Sequence, residues 1–346
     1  MASPAPIGLR RRVLLRDVAE AANVSSSTAS RALADDPRIS LSTRVAVKAA
    51  AAELQYVPNV AARSLRRRHT STLGLLIPNL SDPVHGQIAS GFEEVASQAG
   101  FCVIMVAGED EPARERLALK VFAEHGADAV AIVSSAISPR EARERVDPAR
   151  LVLVQPDHRS LPRRPGAATP GVILTDDTSG VRAAVDHLVD CGYRRIGYVE
   201  GEEGPSNLLR AAAAAATLRD RGIRSGLRTF PAPSDAWRAP GPIADAIRAD
   251  LPDALVCYDD KLALALMDAL RQRGVRIPAD LAVVGFDGIP FTAISNPRLT
   301  TVSTPAGEMG RLAAAFLIRA IRDGTPPEGR LLAPELVVRE STRPPS

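Results

Sequence analysis

One short stretch near the start of the chain carries side chains that could recognise a base pair. Ser25 is a natural N-cap, and the helix predicted after it directs Ser26, Ser27, Ser30 and Arg31 outward. A helix with such small outward side chains can enter a major groove, where hydroxyls contact base edges or phosphates and arginine forks onto guanine O6 and N7. We therefore predict base contacts by Ser26, Ser27 and Arg31.

The residues before this helix predict a second helix and a tight turn that would hold it in place. Val18, Ala19 and Ala22 form an apolar stripe, and Asn23 tolerates the left-handed backbone with which helices end. Val24 would fill the corner between the helices. The pair predicts a helix-turn-helix, although short helix pairs of small residues also occur in ordinary alanine-rich bundles.

A third helix is expected from Ser40, again an N-cap, to about Gln55. Its buried side is assigned to Val45, Ala49, Ala52 and Leu54. Three helices in about 45 residues would form a small headpiece stabilised mainly by helix packing. Polar side chains around it are assigned to phosphate contacts, namely Ser25, Thr28, Ser30, Ser40, Thr43, Tyr56 and Asn59.

From Leu73 onward the pattern changes to short β-branched apolar runs that alternate with helical stretches. This alternation is typical of a parallel sheet covered by helices on both faces. It occurs twice, so we expect two similar lobes, with the chain crossing between them near Val172, Phe291 and Pro326. The predicted fold class is a small all-α helix-turn-helix headpiece followed by a two-lobed α/β core.

Polar residues follow several of the predicted strands of the core. Ligands of open α/β sheets bind beyond the carboxyl ends of the strands, and carboxylates suit the paired hydroxyls of a sugar. The candidates for ligand contacts at such strand ends are Ser81, Asp82, His85, Asp176, Asp259 and Asp287. An aspartate at a strand end can equally cap the next helix, and for Asp176 and Asp259 the two interpretations carry equal weight.

The chain shows no pattern typical of an enzyme. No dinucleotide-binding, phosphate-binding or nucleophile-elbow motif is present, and the five histidines are scattered without metal-ligand spacing. Asp259 and Asp260 are adjacent, so they would not face each other as an acid/base pair. We predict neither catalysis nor a metal or cofactor.

The separated motifs together resemble the lactose-repressor (LacI/GalR-type) family of bacterial transcription regulators. The resemblance rests on DVAEAANVSSSTASR at 17–31, YVPNVAARSL at 56–65, LGLLIP at 73–78, and later blocks at 176–188, 192–201, 258–290, 299–314 and 334–342. It implies a homodimeric, sequence-specific repressor of a near-palindromic operator, with a periplasmic-binding-protein-like core that responds to a small effector. An activator, or a ligand-binding protein with a vestigial headpiece, is the alternative.

The resemblance also implies a hinge after the headpiece. In the family this segment folds on operator DNA, and the residue matching Leu65 wedges between base pairs in the minor groove. Ala62, Leu65 and Arg66 are the hinge contacts implied here, and a plain basic linker is the alternative. The resulting boundaries are a disordered basic arm at 1–12, the headpiece at 13–58, the hinge at 59–70, the core at 71–340 and a tail at 341–346.

For the effector cleft, the resemblance adds Arg210 and assigns Asp287 of the GFDG stretch to ligand contact. Trp237 lies near the position where some members place a stacking aromatic residue. Asp259 stands where the family usually has asparagine, and the loop from Asp82 to His85 lacks the usual aromatic residues. These departures predict an effector that is more polar or smaller than a typical sugar, or that is a cation.

Charge and cysteine content support the same division. Residues 1–70 carry 12 Lys and Arg against 5 Asp and Glu, whereas the remainder carries 31 against 35. A basic head on a mildly acidic body suits nucleic-acid binding by the head alone. An odd number of cysteines, Cys102, Cys191 and Cys257, and no export signal predict a cytoplasmic protein whose thiols are reduced core residues.

Overall fold

The computed structural model describes residues 13–56, 69–134, 136–156, 171–201, 205–233 and 235–342. They belong to two compact units, 1–70 and 71–346. The arm predicted at 1–12 and the hinge residues Asn59, Ala62, Leu65 and Arg66 lie outside the described residues.

The first unit contains three helices, α1 (Leu15–Ala21), α2 (Ser26–Leu33) and α3 (Leu41–Glu53). As predicted, Asn23 adopts a left-handed backbone between α1 and α2, and Ser25 and Ser40 cap α2 and α3. The core of this headpiece consists of small apolar residues from all three helices: Val18, Ala19, Ala29, Ala32, Val47, Ala50 and Ala51. Such small side chains let the helices pack closely in a short chain.

The buried face of α3 differs from the predicted one. Val45 is 60% exposed, and Ala49 and Ala52 are exposed as well, whereas Leu54 packs against the core as expected. The helix carries two apolar stripes, and the one that contains Val47 faces α1 and α2. Helical periodicity identifies both stripes but does not say which one has a partner.

The first lobe is built on a six-stranded, parallel sheet in the order β11-β5-β4-β3-β1-β2. Its strands are β1 (Thr72–Ile77), β2 (Cys102–Ala107), β3 (Ala129–Val133), β4 (Leu151–Val154), β5 (Val172–Thr175) and β11 (Arg330–Leu332). The helices of this lobe are α4 (Pro83–Gln98), α5 (Pro112–Glu124), α6 (Pro139–Arg145) and α11 (Ala306–Asp323). Strands β1, β3 and β4 are buried throughout, because helices cover both faces of the sheet.

The second lobe repeats this arrangement with the order β12-β10-β9-β8-β6-β7, in which only β12 runs antiparallel. Its strands are β6 (Ile196–Val199), β7 (Arg228–Phe230), β8 (Ala254–Cys257), β9 (Ala282–Asp287), β10 (Thr300–Ser303) and β12 (Glu335–Val337). Its helices are α7 (Asp177–Asp190), α8 (Pro205–Asp220), α9 (Gly241–Ala249) and α10 (Asp260–Gln272). The predicted fold class is confirmed.

The crossings between the lobes differ in part from the predicted ones. The chain leaves the first lobe after Thr175, close to the expected Val172. The second crossing is not at Phe291, which lies in a short 3-10 turn of the second lobe, but between β10 and α11. The third falls between β11 and β12, a few residues beyond Pro326. Helix α11 determines the second crossing, because its apolar residues belong to the core of the first lobe.

Two further predictions concern the burial of the cysteines and the domain boundary at residue 340. Cys102 is exposed rather than buried, because β2 is an edge strand; Cys191 is half-buried and Cys257 is buried. The predicted boundary at residue 340 falls within a 3-10 turn, Glu340–Thr342. Ser341 is buried in this turn, where its hydroxyl donates to the carbonyl oxygen of Val283.

Candidate nucleic-acid interface and ligand cleft

The N-terminus of α2 is organised by hydroxyl groups. Ser25 Oγ accepts a hydrogen bond from the backbone N–H of Thr28 at 3.1 Å, and it lies 2.9 Å from both Ser27 Oγ and Thr28 Oγ1. A helix N-terminus presents free N–H groups and a positive dipole end, which favour an anion such as a phosphate. The predicted base-contact residues Ser26, Ser27 and Arg31 are all exposed on this helix.

Helix α3 begins in the same way, which the sequence analysis recognised only in part. Ser40 Oγ accepts from the N–H of Thr43 at 3.2 Å and lies 3.0 Å from Ser42 Oγ. Ser42 was therefore missed, although the repeated pattern Ser-x-Ser-Thr at 25–28 and 40–43 would have identified it. Both helices of the headpiece start with a cluster of three hydroxyls.

The other predicted phosphate contacts are less accessible. Thr28, Ser30 and Thr43 are half-buried, and the half-buried Tyr56 packs against the headpiece core. These positions leave part of each side chain at the surface, and their contact with phosphate remains a prediction.

In the core, the structure brings together Asp82 of the first lobe with Asp259 of the second. Lys261 Nζ lies 2.5 Å from Asp82 Oδ2 and 3.9 Å from Asp259 Oδ2. Burial alone would raise the pKa of Asp82, but the Lys261 ammonium outweighs it and holds that pKa below its ordinary value. For Asp259 burial dominates, and its pKa is raised. No motif or strand-end position in the sequence indicated Lys261.

Asp287 ends β9 at the same place. Its φ is 112°, a backbone conformation that non-glycine residues rarely adopt and that is often found at binding sites. Burial raises the pKa of Asp287 well above its ordinary value, against the opposing charge of Arg210. The charges of Asp82 and Asp259 also act on it, so the three predicted carboxylates lie near one another.

Arg210 is held in place by contacts within the second lobe. Its Nε donates to Asp177 Oδ2 at 2.9 Å, and its Nη1 donates to the carbonyl oxygen of Tyr258 at 2.7 Å. The guanidinium stacks on Phe286, 3.6 Å from the ring centre, and the residue is only 6% exposed. Burial would lower the pKa of Arg210, but the charge of Asp177 raises it. Arg210 is thus a buried ion-pair partner of Asp177. Asp177 was not among the residues predicted from the sequence.

The other predicted effector residues lie at helix starts or at the rim. Asp176 caps α7 by accepting from the N–H of Ser179 at 3.0 Å, the alternative role considered for it. Ser81 is exposed and donates its N–H to Asn79. His85 Nδ1 is 3.1 Å from the carbonyl oxygen of Asn79, and burial lowers its pKa.

Trp237 lies at the same cleft. Its side chain is partly exposed, and the centre of its ring is 5.9 Å from Lys261 Nζ. The guanidinium of Arg238 lies 4.8 Å from the same ring centre. Both cations lie at distances suited to cation–π contact with the Trp237 ring.

Asp259 and Asp260 have separate environments. Asp259 caps α10, accepting from the N–H of Leu262 at 2.7 Å. Asp260 is fully buried, where it accepts from the Thr301 hydroxyl at 2.6 Å and from the N–H of Ile289 at 2.9 Å. Burial raises the pKa of Asp260 to about 7.

Within the described part of the chain, no group of three or more His, Cys, Asp or Glu side chains could hold a metal ion. Likewise, none of the helices within the ranges given above is long and apolar enough to cross a membrane.

Comparison with known proteins gives matches to both units. Residues 14–59 match the bacterial regulatory proteins of the lacI family, and residues 185–342 match the periplasmic binding protein-like domain. The HTH-type transcriptional regulator GalR of Escherichia coli (strain K12) is 30% identical over 337 residues, which cover 96% of this chain and 96% of GalR.

Solved structures agree with the fold. The lac repressor dimer bound to operator and the anti-inducer ONPF superposes with a TM-score of 0.83, at 24% identity, over 96% of this chain and 99% of that chain. The complex of the transcriptional regulator CelR with cellobiose superposes with a TM-score of 0.66, at 26% identity, over 95% of this chain and 100% of that chain.

Proposed function

Since the chain belongs to the lacI family of bacterial regulatory proteins, we propose that it is a transcriptional repressor whose homodimer binds a near-palindromic operator and responds to a small polar effector. Members of the family are DNA-binding transcriptional regulators with an effector-binding domain, and they are not enzymes. The resemblance found in the sequence motifs is thereby confirmed.

The observation that carries the proposal is the exposed face of α2. Ser26, Ser27 and Arg31 lie on a helix of eight residues whose N-terminus is capped by Ser25, and the serines beside Arg31 are small. This face fits the major groove, with Arg31 as the residue best suited to read a guanine. The hydroxyl clusters at the starts of α2 and α3 are suited to the flanking phosphates.

Dimerisation is supported by a groove on the second lobe. The groove has a volume of about 730 Å³, and its lining combines apolar residues such as Leu264, Met267 and Val275 with the charged residues Asp268, Arg271 and Arg276. Ile294, which precedes the groove residue Ser295, is 79% exposed. A large apolar side chain exposed beside a groove is typical of an interface. We assign this surface to a second copy of the chain, since the lac repressor structure is a dimer on its operator.

The cleft between the lobes is the proposed effector site. Asp82, Asp259 and Asp287 converge there from both lobes, and the structurally similar CelR binds cellobiose. Binding of a ligand to carboxylates from both lobes would favour one arrangement of the lobes, and this preference would couple the cleft to operator affinity. A coupling of about 1–3 kcal/mol is expected.

The arm, the hinge and the domain boundaries complete the proposal. We assign minor-groove contact to Ala62, Leu65 and Arg66, with Leu65 as the wedge, on the strength of their match to the family motif. The arm at 1–12, the headpiece at 13–58, the hinge at 59–70, the core at 71–340 and the tail at 341–346 are proposed as the working division. We expect the protein to act in the cytoplasm, where its operator would lie.

Selection of bound sequences from a random DNA pool tests this function. The full-length protein is incubated with the pool at moderate salt, once alone and once with a mixture of sugars and other small metabolites. A palindrome with a flexible pyrimidine–purine centre is expected, because two headpieces on a two-fold axis read two half-sites.

Two outcomes would contradict the proposal. Enrichment of no sequence under either condition would mean that the headpiece does not read DNA. A promoter that carries the selected sequence should become less active when the protein is present, and increased transcription would instead make the protein an activator.

A further inference from the structure

The ion pair between Lys261 and Asp82 joins the two lobes across the proposed effector cleft. Asp82 precedes α4 of the first lobe, and Lys261 is the second residue of α10 in the second lobe. The side chains of this pair are mostly buried, with 27% of Lys261 and 17% of Asp82 exposed. Lysine is rare in this chain, since only three of its 43 Lys and Arg residues are lysines.

The surroundings of the ammonium group form a site for a small cation. Asp82 Oδ1 accepts from the N–H of Val84 and Asp259 Oδ1 accepts from that of Leu262, so both carboxylates are held in place by their own helices. Their second oxygens, the Oδ2 atoms, face Lys261 at 2.5 Å and 3.9 Å. The ring of Trp237 lies 5.9 Å from the same ammonium, within the range of a cation–π contact.

The charge balance of the cleft favours a positive ligand. Two carboxylates, Asp82 and Asp259, lie beside the single ammonium group of Lys261, whereas Arg210 is paired with Asp177. An anionic ligand would be repelled by these two carboxylates, and a neutral one would leave Lys261 in place. An organic cation could take over both carboxylates and the ring.

On the basis of the proposed effector role of this cleft, we propose that Lys261 occupies the position of the effector's own ammonium group and that the effector is an organic amine. Without effector, Lys261 holds Asp82 near Asp259 and so connects the lobes. With effector, the ligand ammonium replaces the lysine on the two carboxylates, and the link between the lobes passes through the ligand. Lys261 is thus a positioning residue that sets both the ligand class and the lobe arrangement.

Chemical rescue of Lys261→Ala tests this inference in the full-length protein. The shortened side chain leaves room for n-propylammonium, a probe that matches the missing part of the lysine. The melting temperature of the variant should lie below that of the wild type and should rise with the logarithm of the n-propylammonium concentration, because the amine binds the folded state. The uncharged probe n-propanol should have no such effect.

Matched variants separate a specific site from general effects of amines. Lys120→Ala removes an exposed lysine that pairs with Glu124 on the surface, and its melting temperature should not respond to n-propylammonium. In the double variant Asp82→Asn, Lys261→Ala, the rescue should disappear. Equal responses to n-propanol and n-propylammonium, or no response of Lys261→Ala to the amine, would overturn the inference.

If Lys261→Ala fails to fold, a double-mutant cycle of Lys261→Gln and Asp82→Asn measures the coupling between the two residues instead. If the pair connects the lobes, the double variant loses less stability than the two single variants together. Additive losses would contradict the connection. None of these measurements uses DNA, so a failed DNA selection and a failed rescue bear on different conclusions.

Discussion

At the scale of single residues, side chains that are neighbours in the sequence have different roles. Asp259 faces the cleft and the Lys261 ammonium, whereas Asp260 is buried and holds the end of β9 to β10 through Thr301 and Ile289. The helical turn that begins α10 separates the two carboxylates. Their adjacency therefore says nothing about shared chemistry.

The buried carboxyl of Asp260 predicts a pH-dependent stability. Because burial raises its pKa to about 7, the folded state binds this proton more tightly than the unfolded chain does. The free energy of unfolding should therefore fall as the pH rises from about 4 to about 7, and this contribution should be constant above pH 7. Asp260→Asn should reduce the fall by about 2–4 kcal/mol in urea unfolding measured at pH 4.5 and pH 8.

A control at an exposed carboxyl makes the Asp260 experiment specific. Asp220 lies on the surface of α8 and pairs with Arg182, so Asp220→Asn should leave the pH profile unchanged. The same pH profile in wild type and Asp260→Asn would mean that the buried carboxyl stays ionised in the folded protein.

Arg31 predicts a loss of base discrimination. Arg31→Ala should cost about 1–3 kcal/mol of operator binding and relax the preference at one base pair of each half-site, because a guanine loses its bidentate partner. Binding of the variant to operators with single base changes measures both effects. Arg140 is an exposed residue of the first lobe that pairs with Glu144, and Arg140→Ala serves as the control. An equal loss on random DNA would reduce Arg31 to a phosphate contact.

At the scale of elements, α4 and α11 pack with their backbones in close approach. A Cβ on Gly91 would overlap the carbonyl oxygen of Gly307, and one on Gly310 would overlap that of Ile88. The two glycines thus allow the backbones to approach each other, and the contact connects the first and last long helices of the first lobe. The core of that lobe depends on this crossing.

The helix crossing predicts opposite outcomes at two glycines of α11. Gly310→Ala should destabilise the core by about 2–4 kcal/mol, because the added methyl group forces two backbones apart. Gly307→Ala should be neutral or slightly stabilising, since the nearest atom to its Cβ is the flexible end of Arg311 at 3.5 Å and alanine favours a helix. Melting temperatures of both variants check this, and equal losses would contradict the close approach.

Sequence patterns predicted elements better than the faces they bury. The caps at Ser25 and Ser40 and the left-handed Asn23 fixed the positions of α2 and α3. The prediction of which face of α3 is buried was wrong. Two apolar stripes fit the same helical period, and only the neighbouring helices determine which one is buried. Arg210 was predicted at the cleft, but its burial against Phe286 depends on tertiary packing.

The link between Lys261 and Asp82 could not have been read from the sequence at all. The two residues are 179 positions apart and belong to different lobes, so no local periodicity relates them. Strand ends predicted the carboxylates of the cleft because parallel strands end at one edge of a sheet. The cation between those carboxylates carries no such signal, since it lies on a helix that also exposes other charged residues.

At the scale of the whole molecule, the proposed dimer surface makes a prediction at an exposed side chain. Ile294→Asp should weaken the dimer without loss of folding, because Ile294 is 79% exposed in the single chain and a charge there would be buried in the interface. Sedimentation measures the dimer, and operator affinity should fall in parallel, since one headpiece reads only a half-site.

Leu117→Asp provides the comparison for Ile294→Asp. Leu117 is also exposed, at 59%, but it lies on α5 of the first lobe, away from the groove residues. Its substitution should change neither sedimentation nor operator affinity. A dimer that survives Ile294→Asp at full strength would place the interface elsewhere.

The three crossings between the lobes have a consequence for synthesis on the ribosome. The first lobe contains α11 and β11, and the second contains β12 and the turn at 340–342, so each lobe needs residues from the last tenth or so of the chain. Among the described residues, in contrast, the core of the headpiece lies between Val13 and Tyr56. A growing chain can therefore complete its headpiece while both lobes still lack strands. Translation that stops early would leave a folded headpiece without the two lobes that regulate it.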